Sequence, residues 1–349
     1  MRIGIDVGGT NTDAVILSGG SVLAACKSPT TADVGSGIGA SMRKVLEIAA
    51  VDPARLTAVM IGTTQFTNAV VERRRLLEVA AVRIGLPATR ALPPFTDWPG
   101  DLASAVGRHG FMVRGGSQFD GQEIAPLDEA ELRRIAGDIR KRGLRSAAIT
   151  AVFSPVDPAM ELRAAEILRD DNPDLAVTLS HEIGRVGLLE RENASILNAS
   201  LAEIARHVVR SFRQAMADLS IQAPLYVSQN DGTLMKPEHV ERYPVLTFAS
   251  GPTNSMRGAA RLAGAGDAMV VDIGGTTSDI GMLQKGFPRD SSVATDIGGV
   301  RTNFRMPDVL AVGIGGGSIV RDDGATVGPD SVGYELTRRA LVFGGDTLT

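Results

Sequence analysis

An eight-residue pattern occurs twice in this chain. Asp6-Val7-Gly8-Gly9-Thr10-Asn11-Thr12-Asp13 returns 266 residues later as Asp272-Ile273-Gly274-Gly275-Thr276-Thr277-Ser278-Asp279. Both copies read D-x-G-G-T-x-[TS]-D, and each lies between two apolar segments. Each copy therefore predicts a strand, a glycine turn and a second strand. A repeated supersecondary unit constrains the fold strongly, and here it predicts two similar halves facing each other across a cleft.

The residue types in the repeat suit a phosphate chain. Phosphate needs backbone N–H groups at close range, and glycine permits that approach because it lacks a Cβ. Threonine adds a hydroxyl donor. An aspartate at a strand end offers a hard oxygen to Mg²⁺ or to its bound water. Gly8, Gly9, Thr10 and Asn11, with Gly274, Gly275, Thr276 and Thr277, are the candidate phosphate contacts. Asp6 and Asp272 are the candidate Mg²⁺-holding and catalytic carboxylates. Asp13 and Asp279 are weaker candidates for a general base, named by proximity alone, because an aspartate there also caps its own turn.

A third cluster, Gly315-Gly316-Gly317-Ser318, follows the second copy and would let a flat purine and its ribose lie close to the backbone. Glycine makes up 40 of the 349 residues, well above the usual ~7%, and these clusters hold part of the surplus. The sequence has neither G-x-x-x-x-G-K-[ST] nor a dinucleotide fingerprint, which argues against a P-loop and against a redox dinucleotide.

Elsewhere strands and helices alternate, which predicts an α/β protein. Gly19-Gly20 is expected to turn a hairpin, and Val34, Ile38, Met42, Val45 and Ala49 fall on one helical face, with Asp33 as its cap. Asp128 and Glu131 form a capping box for a helix running to Gly143. Residues 190–218 read as one long helix, and strands are expected near 224–228, 244–248, 268–273 and 279–283. Residues 85–122, rich in proline and carrying the single tryptophan Trp98, read as an irregular excursion. The expected division is 1–182 and 183–349.

Lys and Arg number 36 against 40 Asp and Glu, a net charge of −4, which argues against a broad basic surface for nucleic acid. One cysteine rules out an internal disulfide framework and a four-cysteine iron–sulfur cluster, and points to a reducing, cytoplasmic setting. No run of about 18 apolar residues predicts a membrane span, and the first residues show no signal-peptide pattern. The four histidines show no H-x-H or H-E-x-x-H spacing, so a metallohydrolase centre is not expected.

Further segments complete a family pattern. Gly62-Thr63-Thr64-Gln65-Phe66-Thr67-Asn68-Ala69-Val70-Val71-Glu72-Arg73, Ser180-His181-Glu182, Ser250-Gly251-Pro252 and Val327-Gly328-Pro329-Asp330-Ser331 occur in one order with the two repeats and the third glycine cluster. Together they resemble the ATP-dependent hydantoinase A and 5-oxoprolinase family of the ASKHA superfamily. The resemblance implies duplicated RNase H-like halves of the actin/Hsp70/sugar-kinase type around a nucleotide cleft, with the second half incomplete at its C-terminus. It implies ATP and Mg²⁺ as cofactors and ring opening of a cyclic amide, such as a hydantoin or 5-oxoproline, through phosphoryl activation of the lactam carbonyl. Thr63, Thr64 and Asn68 become candidate substrate contacts, and the resemblance leaves room for a second hydrolytic subunit. A sugar-type kinase, since glucokinase-like proteins share the D-x-G-G-T turn, and a non-catalytic actin-like ATP-binding module are the alternatives.

Overall fold

The computed structural model describes residues 1–8, 11–29, 34–275, 277–292, 294–321 and 324–349. It forms two units: Met1–Val227 with Leu234–Phe248 and Val293–Arg305, and Ser228–Thr233 with Ala249–Ser292 and Met306–Thr349. The first changeover falls at Val227/Ser228, later than the 182/183 boundary read from the sequence.

The first unit begins with an antiparallel meander of β1 (Arg2–Val7), β2 (Asn11–Ser18) and β3 (Ser21–Pro29). Ile3, Ile5 and Val7 alternate onto one buried face, and Gly19 and Gly20, at φ +59° and +92°, make the tight β2–β3 turn. Helix α1 (Val34–Ala49) packs on this meander with Ile38, Met42 and Val45 fully buried. Its expected cap, Asp33, lies outside the described residues. Strand β4 (Ala58–Thr63) then runs parallel to β1, and α2 (Gln65–Val71) follows directly.

A second sheet comes next. β5 (Val79–Leu86), α3 (Gly100–Ala105), β6 (His109–Arg114), α4 (Glu129–Arg142), β7 (Ser146–Ala151), α5 (Ala159–Asp171) and β8 (Ala176–Leu179) give a parallel sheet in the order β6-β5-β7-β8. Val82, Ile84, Ile135, Ile149 and Leu168 belong to its core. The Asp128 side chain accepts from the Glu131 amide at 2.9 Å, and Gly143 ends α4 in the left-handed region, as expected. Residues 85–122 are more regular than their prolines suggest, since they hold α3 and β6.

The span read as one long helix is two, α6 (Leu188–Ser200) and α7 (Ala202–Asp218). The Leu201 amide bonds back only three residues to Asn198, the Ser200 hydroxyl bonds Leu197, and the Ser200 carbonyl accepts from Leu77. That tightening breaks the α-helical ladder while the apolar periodicity continues. β9 (Leu225–Ser228) and β10 (Leu234–Met235) complete the first sheet as β10-β9-β4-β1-β2-β3, an RNase H-like arrangement of an antiparallel meander extended by the parallel strands β4 and β9, with β10 at the edge. After α8 (Pro237–Arg242), the expected strand at 244–248 is a 3₁₀ turn, Pro244–Thr247, started by Pro244.

In the second unit, α9 (Ser250–Ala263) packs Met256 and Ala260 on a sheet of β11 (Ala268–Ile273), β12 (Ser278–Gln284) and β13 (Phe287–Pro288). A hairpin of β14 (Thr295–Ile297) and β15 (Val300–Thr302) belongs to the first unit. β16 (Val309–Val312) then pairs antiparallel with β12. β17 (Ser318–Arg321) and β18 (Thr326–Ser331) form another hairpin, and α10 (Leu336–Arg339) follows. No described helix is long and apolar enough to cross a membrane.

Candidate functional site

The two copies of the repeat fold into the same hairpin. In the first, Asp6 faces Asp13 and Val7 faces Thr12 across β1–β2, and the Gly8 amide donates to the Asn11 carbonyl at 3.0 Å. In the second, Asp272 faces Asp279 and Ile273 faces Ser278, and the Gly274 amide donates to the Thr277 carbonyl at 2.8 Å. A Cβ on Gly8 or Gly274 would stand 3.1 or 3.2 Å from the carbonyl that closes its own turn, so the closure itself favours glycine. Gly9, Thr10 and Thr276 lie outside the described residues.

The copies differ in charge. Asp13 sits in β2 between Asp6 on β1 and Lys27 on β3, and its carboxylate pairs with the Lys27 ammonium at 2.8 Å. Asp279 sits in β12 between Asp272 on β11 and Ala311 on β16. Alanine thus occupies the place of the lysine. Burial, and then the Asp272 charge, push the Asp279 carboxyl above the usual carboxylate range. Among the described residues no group of three or more His, Cys, Asp or Glu is placed to hold a metal ion. A divalent cation here would draw on one or two carboxylates and on phosphate and water, which is how Mg²⁺ is usually bound. The exposed Asp272 beside an uncompensated Asp279 fits such an ion.

The third glycine cluster joins the second turn. The amides of Gly316 and Gly317 donate to the carbonyls of Gly274 and Gly275 at 2.9 and 2.6 Å. The Gly315 amide donates to the Ser318 hydroxyl at 2.9 Å, and the Ser278 hydroxyl to the Ile314 carbonyl at 2.6 Å. A Cβ on Gly317 would lie 2.8 Å from both the Gly275 carbonyl oxygen and the Ser331 hydroxyl. Close packing of two backbones, which the sequence did not reveal, is reason enough for glycine at 317.

Thr63, Thr64 and Asn68 gather beside the first turn. Thr63 ends β4 opposite Val7, and the amide and hydroxyl of Thr64 both donate to the Val7 carbonyl at 3.3 Å. The Thr63 hydroxyl accepts from the Gln65 amide at 3.3 Å, and the Asn68 side chain donates to the Thr64 hydroxyl at 3.5 Å.

Sequence reasoning missed a buried polar cluster at the carboxyl ends of β7 and β8. His181 Nδ1 lies 2.6 Å from Glu161 Oε2 on α5. Glu161 also accepts from the Ala151 amide at 2.8 Å and the Ser180 hydroxyl at 2.5 Å. Arg191, fully buried, donates to the Ser180 hydroxyl and the Ala151 carbonyl at 2.9 and 2.6 Å. Burial alone would raise the Glu161 carboxyl, but hydrogen bonds led by His181 outweigh it and hold it below its usual range. The same bond raises the His181 imidazole. Ser180-His181-Glu182 was a visible signal; Glu161, 20 residues upstream of His181, carried none. Glu182 pairs instead with Arg242.

Comparison with known proteins gives a consistent result. A family model described as hydantoinase/oxoprolinase N-terminal region matches residues 2–171, and one described as hydantoinase/oxoprolinase matches residues 191–349. The chain is 28% identical to caprolactamase subunit alpha of Pseudomonas jessenii, covering 95% of this chain and 51% of that one. It is 26% identical to the acetophenone carboxylase gamma subunit of Aromatoleum aromaticum, covering 95% and 49%. The ATP-dependent caprolactamase structure from P. jessenii superposes over the whole chain and 53% of its own, with a TM-score of 0.81 at 25% identity. A nucleotide-free acetone carboxylase structure superposes over the same shares with a TM-score of 0.72 at 22% identity, a likeness of fold. The chain spans about half the length of the curated relatives it matches.

Proposed function

The chain belongs to the hydantoinase/oxoprolinase family, and on that premise we propose that it opens a cyclic amide, such as a hydantoin or 5-oxoproline, in an ATP-dependent hydrolysis. The observation that carries this reading is the pair of hairpins closed by the same hydrogen bond, Gly8 to Asn11 and Gly274 to Thr277, each flanked by facing aspartates. Caprolactamase, a relative, is named for action on a cyclic amide.

A ring amide resists water because its carbonyl carbon is resonance-stabilised. ATP, when bound, supplies a phosphoryl group to the lactam oxygen and so exposes that carbon to attack. The chain's own residues position and neutralise. Gly8, Gly9, Thr10 and Asn11, and Gly274, Gly275, Thr276 and Thr277, contact phosphate oxygens. Asp6 and Asp272 are the carboxylates that would hold Mg²⁺, which would offset phosphate charge. Thr63, Thr64 and Asn68 contact the amide. Asp13 is tied to Lys27, whereas Asp279 has a raised proton affinity and no cation opposite, so Asp279 is the better placed of the two to accept a proton. The relatives are named as subunits, which supports a second subunit as the partner in hydrolysis.

The test is ATP hydrolysis by the protein with its candidate partner subunit, measured with hydantoin, 5-oxoproline and caprolactam, with a sugar panel, and with ketone plus bicarbonate. Stimulation by a cyclic amide, with release of the ring-opened acid, is the expected result. Stimulation only by ketone and bicarbonate would assign a carboxylase, the activity named for another relative. Phosphate transfer to a sugar would assign a kinase.

A further inference from the structure

The buried polar cluster beyond β7 and β8 has one outlet, the ring of His181. Glu161 accepts at Oε1 from the Ala151 amide and the Ser180 hydroxyl. At Oε2 it accepts from the His181 amide at 3.2 Å and meets His181 Nδ1. An ionised carboxylate offers about four acceptor sites and no proton, and here donors take all of them. Nδ1 therefore carries a proton, and Nε2 is left as the atom that exchanges one with its surroundings. Among the described residues Nε2 has no hydrogen-bond partner, and the side chain is 18% exposed.

The surroundings hold that ring in place. His181 lies on a 3₁₀ turn, Ser180–Glu182, directly after β8. Arg191 bonds the Ser180 hydroxyl through Nε, while its Nη1 faces the carbonyls of Arg185, Val186 and Gly187. A Cβ on Gly184 would stand 2.5 Å from Asn303 Oδ1 and 2.6 Å from Arg191 Cγ, so the loop closes tightly after the turn. On the β7 side, Phe153 stands at φ +54°, an uncommon conformation for a bulky residue, and the Ser154 and Ser180 hydroxyls lie 3.2 Å apart. Open parallel sheets bind ligands outside the carboxyl ends of their strands, and this imidazole stands at that edge.

Resting on the ring-opening reading above, we propose that His181 is the general acid that protonates the ring nitrogen as the carbon–nitrogen bond breaks, with Glu161 as its positioning residue. Ring opening has a branch point. Water adds through its oxygen to the carbonyl carbon of the O-phosphorylated amide, whose N–H is kept, and one water proton passes to solvent. The carbon then bears a hydroxyl, a phosphoryloxy group and the ring nitrogen. Phosphate is a better leaving group than an unprotonated amine, and its departure restores the lactam with an ATP consumed and no ring opened. A proton from Nε2 reverses that order. The C–N electron pair passes to nitrogen with that proton, the hydroxyl loses its proton to solvent as the C=O forms, and the imidazole is reprotonated from solvent. A second water hydrolyses the resulting acyl phosphate to carboxylate and phosphate. His181 thus governs whether ATP consumption is coupled to ring opening.

The experiment uses the natural-length protein with its candidate partner subunit, and whichever of hydantoin, 5-oxoproline and caprolactam stimulates ATP hydrolysis. ATP consumed and ring-opened acid are counted together. In His181→Gln ring opening should slow by about 10²-fold or more while amide-stimulated ATP hydrolysis persists, so ATP per ring opened rises at least about tenfold. The charged groups facing the imidazole are Glu161 from α5, Glu182 from its own turn and Arg191 from α6. In wild type the ratio should rise as pH climbs through the imidazole titration, and Glu161→Gln should move that rise to lower pH. A second measurement needs no variant. Diethyl pyrocarbonate should modify His181, mapped by mass spectrometry, and the cyclic amide with a non-hydrolysable ATP analogue should protect it. An unchanged ratio in His181→Gln, an unmoved pH profile in Glu161→Gln, or modification without protection would overturn the assignment and leave the ring-opening reading standing. Wild-type protein that opens none of the three rings would overturn both.

Discussion

Asp279 faces Asp272 across the β11–β12 ladder and has Ala311, rather than a cation, on its other side. The first copy meets the same crowding with Lys27 beside Asp13. Burial and the Asp272 charge keep the Asp279 carboxyl above its ordinary range. Below the unfolded-state value of about 4, both states hold the proton and the group has no effect. Between that value and the raised folded one, stability falls as pH rises, because the unfolded state releases its proton more readily. Asp279→Asn should therefore raise the thermal midpoint at neutral pH and leave it unchanged near pH ~3. Equal midpoints at neutral pH would show that Asp279 carries no such strain.

Asp272→Asn nearly preserves size and removes charge. If Asp272 organises Mg²⁺ at the phosphates, turnover should fall by about 10²-fold or more. The thermal midpoint should hold or rise, since a repulsive neighbour of Asp279 is gone. Turnover and midpoint measured side by side decide it. Near-normal turnover with a collapsed midpoint would make Asp272 a structural residue.

Gly317 lies in the third glycine cluster and Gly313 two residues before that cluster begins, and the two should answer differently to alanine. A Cβ at 317 meets the Gly275 carbonyl, whereas at 313 nothing stands within 4 Å. Gly317→Ala should push the cluster off the second turn and weaken ATP binding about tenfold, roughly 1.4 kcal/mol. Gly313→Ala should bind normally. Calorimetric titration of both variants with a non-hydrolysable analogue checks the contrast.

Arg83 and Glu192 form a fully buried ion pair, with Arg83 Nε 2.7 Å from Glu192 Oε1. Burial raises the Glu192 carboxyl even against the Arg83 charge. Arg83→Met alone should destabilise by about 3–5 kcal/mol, because it strands a carboxylate in the core. Adding Glu192→Leu should recover most of that loss. Denaturant unfolding of the two single variants and the double variant tests the coupling.

The Glu161–His181 bond predicts its own pH window. Its carboxylate contribution is present above the unfolded glutamate value and lost as pH falls through the depressed folded one. Its imidazolium contribution is full below the unfolded histidine value and fades as pH rises through the raised folded one. The melting-temperature advantage of wild type over Glu161→Gln should peak between roughly pH 4 and 6.5. The His181 ring should titrate at lower pH in the variant, as followed by NMR.

The repeat was legible because a hairpin that places aspartates opposite each other needs both in fixed register, so position in sequence becomes position in space. The cap at Asp128 and the stop at Gly143 were legible for the same local reason. Periodicity misled at Leu201, since the buried stripe continues through a helix break that depends on the Ser200 carbonyl turning to Leu77. Prolines at 87, 93, 94 and 99 concealed β6, which pairs in parallel with β5. The buried charges were illegible because their partners are distant: Arg83 meets Glu192 across 109 residues. No local pattern separates a buried arginine from one on a solvated face.

The bond from Gly316 to the Gly274 carbonyl also determines the direction of a neighbouring donor. The peptide joining Gly274 to Gly275 is planar and trans, so its carbonyl and its N–H point in opposite directions. With the carbonyl held on the Gly316 amide, the Gly275 N–H is turned away from the glycine-rich segment. Substitutions that leave the Gly316–Gly274 bond in place can change the field around that donor but do not redirect it. An anion arriving there meets a dipole already aligned by main-chain bonds, with little reorientation left to perform.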